Sequence, residues 1–224
     1  MEVLVPFSTD RPKSRLSSVL SRAERTAFAR AMCTDVLAAV RAAGGEPTLL
    51  TTPPAESPAD DLDVDAITAA AGIATPPVIV DDRALSAAVN AQLVDRRPTP
   101  DEPVAVVMAD LAIATSAAIE RLLTADGDVV IAPGRGGGTN ALVVRDPSFR
   151  VDYHGASVRD HRRIAAAIDA DVREIDSHRL ASDVDEPADL TEVLLHGDGA
   201  AAAWLREAGF RLGVTDGRVG VVRE

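Results

Sequence analysis

Val104-Ala105-Val106-Val107-Met108 is an unbroken apolar run rich in β-branched residues, and it limits what this chain can fold into more than any other feature. A strand with one wet face alternates apolar and polar side chains, whereas an uninterrupted run belongs to a strand covered on both faces, as in parallel sheets. Shorter runs of similar character lie at 2–6, 47–51, 78–80, 129–132, 142–144 and 172–175. Helical patterns fall at 21–40, 84–93, 115–124, 157–168, 186–195 and 199–208, the last two closing the chain. This alternation predicts an α/β fold with a mostly parallel sheet flanked by helices and room for one reversed strand. The 224 residues fit a single domain spanning 1–224, with no internal repeat and no linker to a second one.

Local signals agree. Ser21-Arg22-Ala23-Glu24 has capping-box spacing, and the helix it opens ends at Gly44-Gly45, where a left-handed turn costs little. Residues 7–17 are polar and predict a loop after the first strand. Residues 53–65 hold three prolines and five acids, which makes a solvated loop or a weakly ordered insertion to which no function is assigned.

Only 3% of the residues are aromatic, so Ala, Val, Leu and Ile must fill the core. A net charge of −12 disfavours a nucleic-acid backbone or an anionic membrane as partner. Lysine occurs once, at Lys13, with Arg supplying the other cations and Asp most of the anions. That skew predicts a high-salt cytoplasm, because at about 1 M salt the Debye length falls to about 3 Å and surface anions repel one another little. The single cysteine, Cys33, excludes an internal disulfide and any multi-cysteine zinc site. The chain opens on a strand without a basic-then-apolar leader, and no run reaches the roughly 18 apolar residues of a membrane span, so a soluble cytoplasmic protein is expected.

Four features carry candidate chemistry. Arg11, Lys13 and Arg15 follow the first strand, and open α/β sheets bind ligands beyond the carboxyl ends of their strands. The run is either a solvated basic turn or a phosphate site, and the retention of one compact ammonium in an Arg-rich chain favours phosphate. Asp110 ends the Val104 strand at the same sheet edge. It either caps the next segment or joins Asp183 or Asp185, in Asp183-Val184-Asp185-Glu186-Pro187, in holding Mg²⁺.

Gly134-Arg135-Gly136-Gly137-Gly138-Thr139-Asn140 is either a flexible turn or a backbone anion cradle, and it matches neither a Walker A nor a Rossmann loop. Ser157, in Tyr153-His154-Gly155-Ala156-Ser157, is placed to cap a helix whose amides would suit phosphate or carboxylate. His161 reads as a helix-face residue with local hydrogen bonds. His178 and His196 have no visible partners, and no metal-ligand spacing links the four histidines. Ser157 with His161 makes no nucleophilic triad, and Cys33 has no activating neighbour.

The ordered set Val5-Pro6, Lys13-Ser14-Arg15-Leu16, Asp110-Leu111, Gly137-Gly138-Thr139-Asn140-Ala141-Leu142, Gly155 with Ser157 and His161, and the acidic segment from Asp183 to Leu190 resembles the 2-phospho-L-lactate guanylyltransferases of coenzyme F420 biosynthesis. The resemblance spans nearly the whole chain. It implies the glycosyltransferase-A-like fold of nucleotide-diphospho-sugar transferases, the substrates GTP and 2-phospho-L-lactate, a Mg²⁺ cofactor and a homodimer. It assigns nucleotide binding to Pro6, Lys13, Arg15 and Asp110, with Lys13, Arg15 and Asp110 catalytic. It assigns Mg²⁺ to Asp110 and Asp185, and the phospho-acid to Gly138, Thr139, Asn140, Gly155 and Ser157. Ala112 stands where relatives commonly have Pro, and residues 7–12 depart from the usual Val- and Lys-rich approach. Rival readings are a nucleotidyltransferase acting on phosphoenolpyruvate, 3-phosphoglycerate, a sugar phosphate or molybdopterin, and a GTP-binding regulatory module without transfer activity.

Overall fold

The computed structural model describes residues 1–8, 13–53, 63–215 and 217–224. Seven strands form one sheet in the order β3-β2-β1-β4-β6-β5-β7. They are β1 (Glu2–Phe7), β2 (Glu46–Thr51), β3 (Val78–Val80), β4 (Val104–Val107), β5 (Val129–Pro133), β6 (Thr139–Val144) and β7 (Val172–Glu174). β6 runs antiparallel to both its neighbours while the other pairs are parallel, so the sheet has one reversed strand.

Alternation along each strand divides the core into two layers. From β1 and β4, Val3, Val5, Ala105 and Val107 enter one apolar layer, which packs against α1 (Arg22–Ala42), α4 (Ser116–Leu123), α7 (Leu190–His196) and α8 (Ala200–Glu207). Leu4, Val104 and Val106 enter the other, which packs against α3 (Leu85–Arg96) and α5 (Ser157–Ala167). All four residues of β4 are buried, as their unbroken apolar character requires.

α1 starts where the capping box places it. Ser21 Oγ accepts the Glu24 amide, and the Glu24 carboxylate accepts the Ser21 amide at 2.8 Å. Gly44, at φ +79°, turns the chain out of the helix into β2.

Several segments depart from expectation. A 3-10 helix over Ser14–Ser18 replaces part of the predicted loop, and α2 (Val64–Ala71) begins inside the acidic segment, capped by the Asp63 carboxylate on the Ala66 amide at 2.9 Å. Residues 54–62 of that segment lie outside the described residues. A short α6 (His178–Ala181) was not predicted. The chain does not close on helices: β8 (Phe210–Thr215) and β9 (Arg218–Arg223) form a separate antiparallel hairpin, tied to α1 by the Arg223–Glu24 ion pair.

β1 pairs with β2 on one side and β4 on the other, so successive connections leave β1 in opposite directions. That reversal is a topological switch point, and it opens a crevice beyond the carboxyl ends of β1 and β4, where ligands of open α/β sheets bind.

Candidate active site

A cleft of about 430 Å³ lies at the switch point. Its lining includes Pro6 and Phe7 from β1, Lys13 at the start of the 3-10 helix and Arg15 within it, Met108 and Asp110 beyond β4, and Asp185. Lys13 adopts a left-handed backbone (φ 54°, ψ 46°) immediately before the 3-10 helix. Its Nζ lies 2.6 Å from Asp110 Oδ2 and 2.9 Å from Asp185 Oδ1, and Arg15 Nη1 approaches Asp185 Oδ2 at 3.5 Å. Burial disfavours the Lys13 ammonium, but the charges of Asp110 and Asp185 outweigh that penalty and raise its pKa above the ordinary lysine value. Four of the residues predicted to act together, Lys13, Arg15, Asp110 and Asp185, therefore meet from the beginning, middle and end of the chain. Arg11 lies outside the described residues.

Asp185 is held by its own segment. Asp189 Oδ2 accepts the amides of Asp185 and Glu186 at 2.9 and 2.8 Å, while Arg135 donates to Asp189 Oδ1 at 2.8 Å. The Val184 amide donates to the Asp110 carbonyl, which fastens this segment to the end of β4. Asp183 is occupied differently: its Oδ1 accepts Asn140 Nδ2 at 3.0 Å. Burial, reinforced by Asp110 and Asp185, raises the Asp183 pKa against the opposing Asn140 bond. Asp185 lines the cleft and Asp183 is absent from the lining. Asp110 Oδ1 is buried and has no hydrogen-bond partner among the described residues. An unpartnered carboxylate oxygen beside a second carboxylate fits a hard divalent cation such as Mg²⁺, which takes oxygen ligands and is typically held by one or two carboxylates.

The glycine-rich loop and the Gly155 segment form a neighbouring polar cluster. Gly134 donates to the Gly138 carbonyl, Gly137 to Gly134 and Arg135 to Ala181, so these three amides serve the loop's own fold. Asn140, 5% exposed, holds both Asp183 and the Leu180 carbonyl through Nδ2. Ser157 is not the helix cap: Ala156 is, and Ser157, the first helical residue, turns its Oγ to accept the Thr139 amide at 2.8 Å. His161 is fully buried rather than a helix-face residue with local bonds. Its Nε2 accepts the Asp152 amide at 2.9 Å and its Nδ1 meets Thr139 Oγ1 at 2.8 Å. An accepting Nε2 places the ring proton on Nδ1, so Thr139 Oγ1 accepts it and keeps its own hydroxyl proton to donate. Burial, partly opposed by Asp152 and Asp160, lowers the His161 pKa from 6.5 to about 4 and keeps the ring neutral. Gly138, Thr139, Asn140, Gly155 and Ser157 lie outside the lining of the Lys13 cleft. Gly155, at φ +54°, is exposed.

Three ion pairs are not expected from the sequence. Arg135–Asp189 gave no periodic signal, since neither residue is near the other in sequence. His178 and His196 do have a partner: both place Nε2 near Glu192 Oε2, at 3.2 and 3.5 Å. The four-residue spacing of Glu192 and His196 on one helix face was the available clue.

Comparison with known proteins finds relatives over the whole chain. Residues 1–223 match the family described as Guanylyl transferase CofC like. The chain is 59% identical to the 2-phospho-L-lactate guanylyltransferase of Halorubrum lacusprofundi, over 100% of both chains. It is 53% identical to that of Haloferax volcanii and 47% to that of Halobacterium salinarum, each over 100% of this chain and 99% of the relative. Among solved structures, a protein described as a nucleotide-diphospho-sugar transferase from Desulfovibrio desulfuricans G20 superposes with a TM-score of 0.66 at 16% identity, covering 92% of this chain and 94% of that one. A nucleotidyl transferase from Methanothermobacter thermautotroptrophicus gives 0.56 at 14% identity, over 92% and 98%. At such identities the structures establish the fold, and the full-length sequence matches establish the rest: the chain belongs to the CofC-like guanylyl transferase family.

Proposed function

We propose that this nucleotidyltransferase transfers GMP from GTP to 2-phospho-L-lactate, giving lactyl-2-diphospho-5'-guanosine and pyrophosphate in coenzyme F420 biosynthesis. The observation that carries the reading is the meeting of Lys13 with Asp110 and Asp185 at the switch point. The family resemblance supplies the substrates.

The chemistry asks little of a protein base. The phosphate of 2-phospho-L-lactate is anionic at neutral pH, so one of its oxygens attacks the α-phosphorus of GTP while the bond from that phosphorus to the bridging oxygen of pyrophosphate breaks. Positioning and charge neutralisation remain. Mg²⁺ held by Asp110 and Asp185 would neutralise charge on the α-phosphate and on the departing pyrophosphate. With a cation balancing the two carboxylates, Lys13 would be free to bind the triphosphate, and Arg15, two-thirds exposed at the rim, would reach the outer phosphates. Pro6 borders both this cleft and an adjoining hollow of about 370 Å³ beside β2, which provides space for the nucleoside. Gly138, Thr139, Asn140, Gly155 and Ser157 form the acceptor side, in which the buried Thr139, Asn140 and Ser157 hold the shape of the loop, Gly155 is exposed, and Asn140 joins this cluster to Asp183.

Mass spectrometry of incubations with Mg²⁺, each nucleoside triphosphate and each of 2-phospho-L-lactate, phosphoenolpyruvate, 3-phosphoglycerate and a hexose 1-phosphate tests the proposal. GTP with 2-phospho-L-lactate is expected to give the diphosphate-linked product fastest. Faster turnover of another pair would replace the assigned substrates, and nucleotide binding without any product would favour a regulatory module.

A further inference from the structure

His178, Glu192 and His196 converge outside the cleft. The two imidazole Nε2 atoms stand 3.2 and 3.5 Å from one Glu192 oxygen, and donor atoms from all three residues lie within 4.8 Å of one another. The rings pack edge to face with centroids 5.2 Å apart. Bonds of about 2.0–2.2 Å from a tetrahedral Zn²⁺ to nitrogen and oxygen place adjacent donor atoms about 3.3–3.6 Å apart; the two histidine–glutamate separations, 3.2 and 3.5 Å, lie close to that spacing, and the third pair lies within 4.8 Å. The backbone beneath the third residue is fixed, because Arg179 donates to the His196 carbonyl at 2.6 Å.

We infer that His178, Glu192 and His196 form a three-ligand site for a borderline divalent transition metal, Zn²⁺ or a neighbour such as Co²⁺ or Ni²⁺. Two imidazoles and one carboxylate suit that class, whereas Mg²⁺ and Ca²⁺ take oxygen ligands. Both histidine side chains are about half exposed, 50% and 41%, which leaves the fourth coordination position to water. The site joins the first residue of α6 to α7, and the chain between these helices carries Asp183 and Asp185. A bound metal therefore clamps both ends of the segment that supplies an acid to the cleft, and it stabilises the folded state by mass action.

Calorimetric titration of the full-length protein with Zn²⁺ at pH 7.5, in excess Mg²⁺ to fill the carboxylate site, tests this assignment. The wild type is expected to bind one Zn²⁺ through this site. His178→Ala and His196→Ala should each weaken binding by more than the about 10- to 100-fold that loss of an outer partner costs. His154→Ala, at an exposed histidine elsewhere, should bind as wild type does. Co²⁺ should give the visible absorption of tetrahedral coordination in the wild type and lose it in both cluster variants, whose folding is checked by circular dichroism. Zn²⁺ should also raise the melting temperature of the wild type alone. No saturable one-to-one binding by the wild type, or unchanged binding by His178→Ala, would overturn the assignment.

Discussion

The Lys13 ammonium lies 2.6 Å from Asp110 Oδ2, joining residues 97 positions apart at the carboxyl ends of two adjacent parallel strands. An ion pair so placed at the mouth of a ligand crevice works differently from one buried in the core. Lys13 is paired with Asp185 as well, so loss of Asp110 leaves the ammonium one carboxylate partner, and under the proposed mechanism the larger cost of either substitution falls on charge stabilisation during the reaction. Lys13→Ala and Asp110→Asn are each expected to lower turnover by about 10²-fold or more while leaving the circular dichroism spectrum unchanged. Pyrophosphate release measures the loss, and wild-type rates in either variant would remove these residues from the mechanism.

The backbone at Lys13 allows a second separation of function from stability. At φ 54° a residue with a Cβ is strained and glycine is not. Lys13→Gly should therefore be more stable than Lys13→Ala by about 1 kcal/mol, with both equally inactive. Denaturant melts of the two variants decide this, and equal midpoints would mean that the left-handed turn is not retained in solution.

Gly134 is required by a side chain and not by its own dihedral angles. A Cβ there would lie 2.5 Å from Asn140 Oδ1, and Asn140 is pinned between Asp183 and the Leu180 carbonyl. Gly134→Ala should cost about 1–3 kcal/mol through overpacking. It should also loosen the Asp183 segment. Chemical denaturation reads the first effect, and a variant as stable as wild type would show that Asn140 can move aside.

His161 makes a prediction about pH. Its folded pKa, about 4, lies below the ordinary 6.5, so as pH falls the unfolded chain takes up the proton first. The stability this residue contributes is complete above about pH 6.5 and disappears as pH falls towards about 4, roughly 3 kcal/mol in all. Nitrogen chemical shifts of the ring should show a neutral Nδ1–H imidazole throughout the pH 5–7 range. Titration of His161 near 6.5 would contradict its burial between Thr139 and Asp152.

Much of this was legible in the residues. Val104 to Val107 had to be a doubly covered strand, and that strand delivered Asp110 to the edge where Lys13 stands. The pattern marks a strand only from Leu142 onward and does not say that this is the reversed one, because Thr139 and Asn140, which begin β6, are polar. They pair in the sheet because their side chains find buried partners in His161, Asp183 and Leu180. The terminal hairpin was missed despite Asp216-Gly217, a strong turn signal between two β-rich runs. Ser157 looked like a cap because its type is right for one, but only the fold shows that the Thr139 amide claims its hydroxyl. The meeting of His178 with Glu192 and His196 depends on how α6 packs beside α7, which no local pattern encodes.

Crystals grown with Mn²⁺ and a non-hydrolysable GTP analogue provide the most direct measurement, because anomalous scattering locates the metal independently of the phosphates. The account predicts a single strong peak within bonding distance of Asp110 and Asp185, with the Lys13 Nζ moved onto the triphosphate. A peak bound by other residues, or a nucleotide seated away from the β1–β4 switch point with Lys13 still paired to both carboxylates, would contradict it.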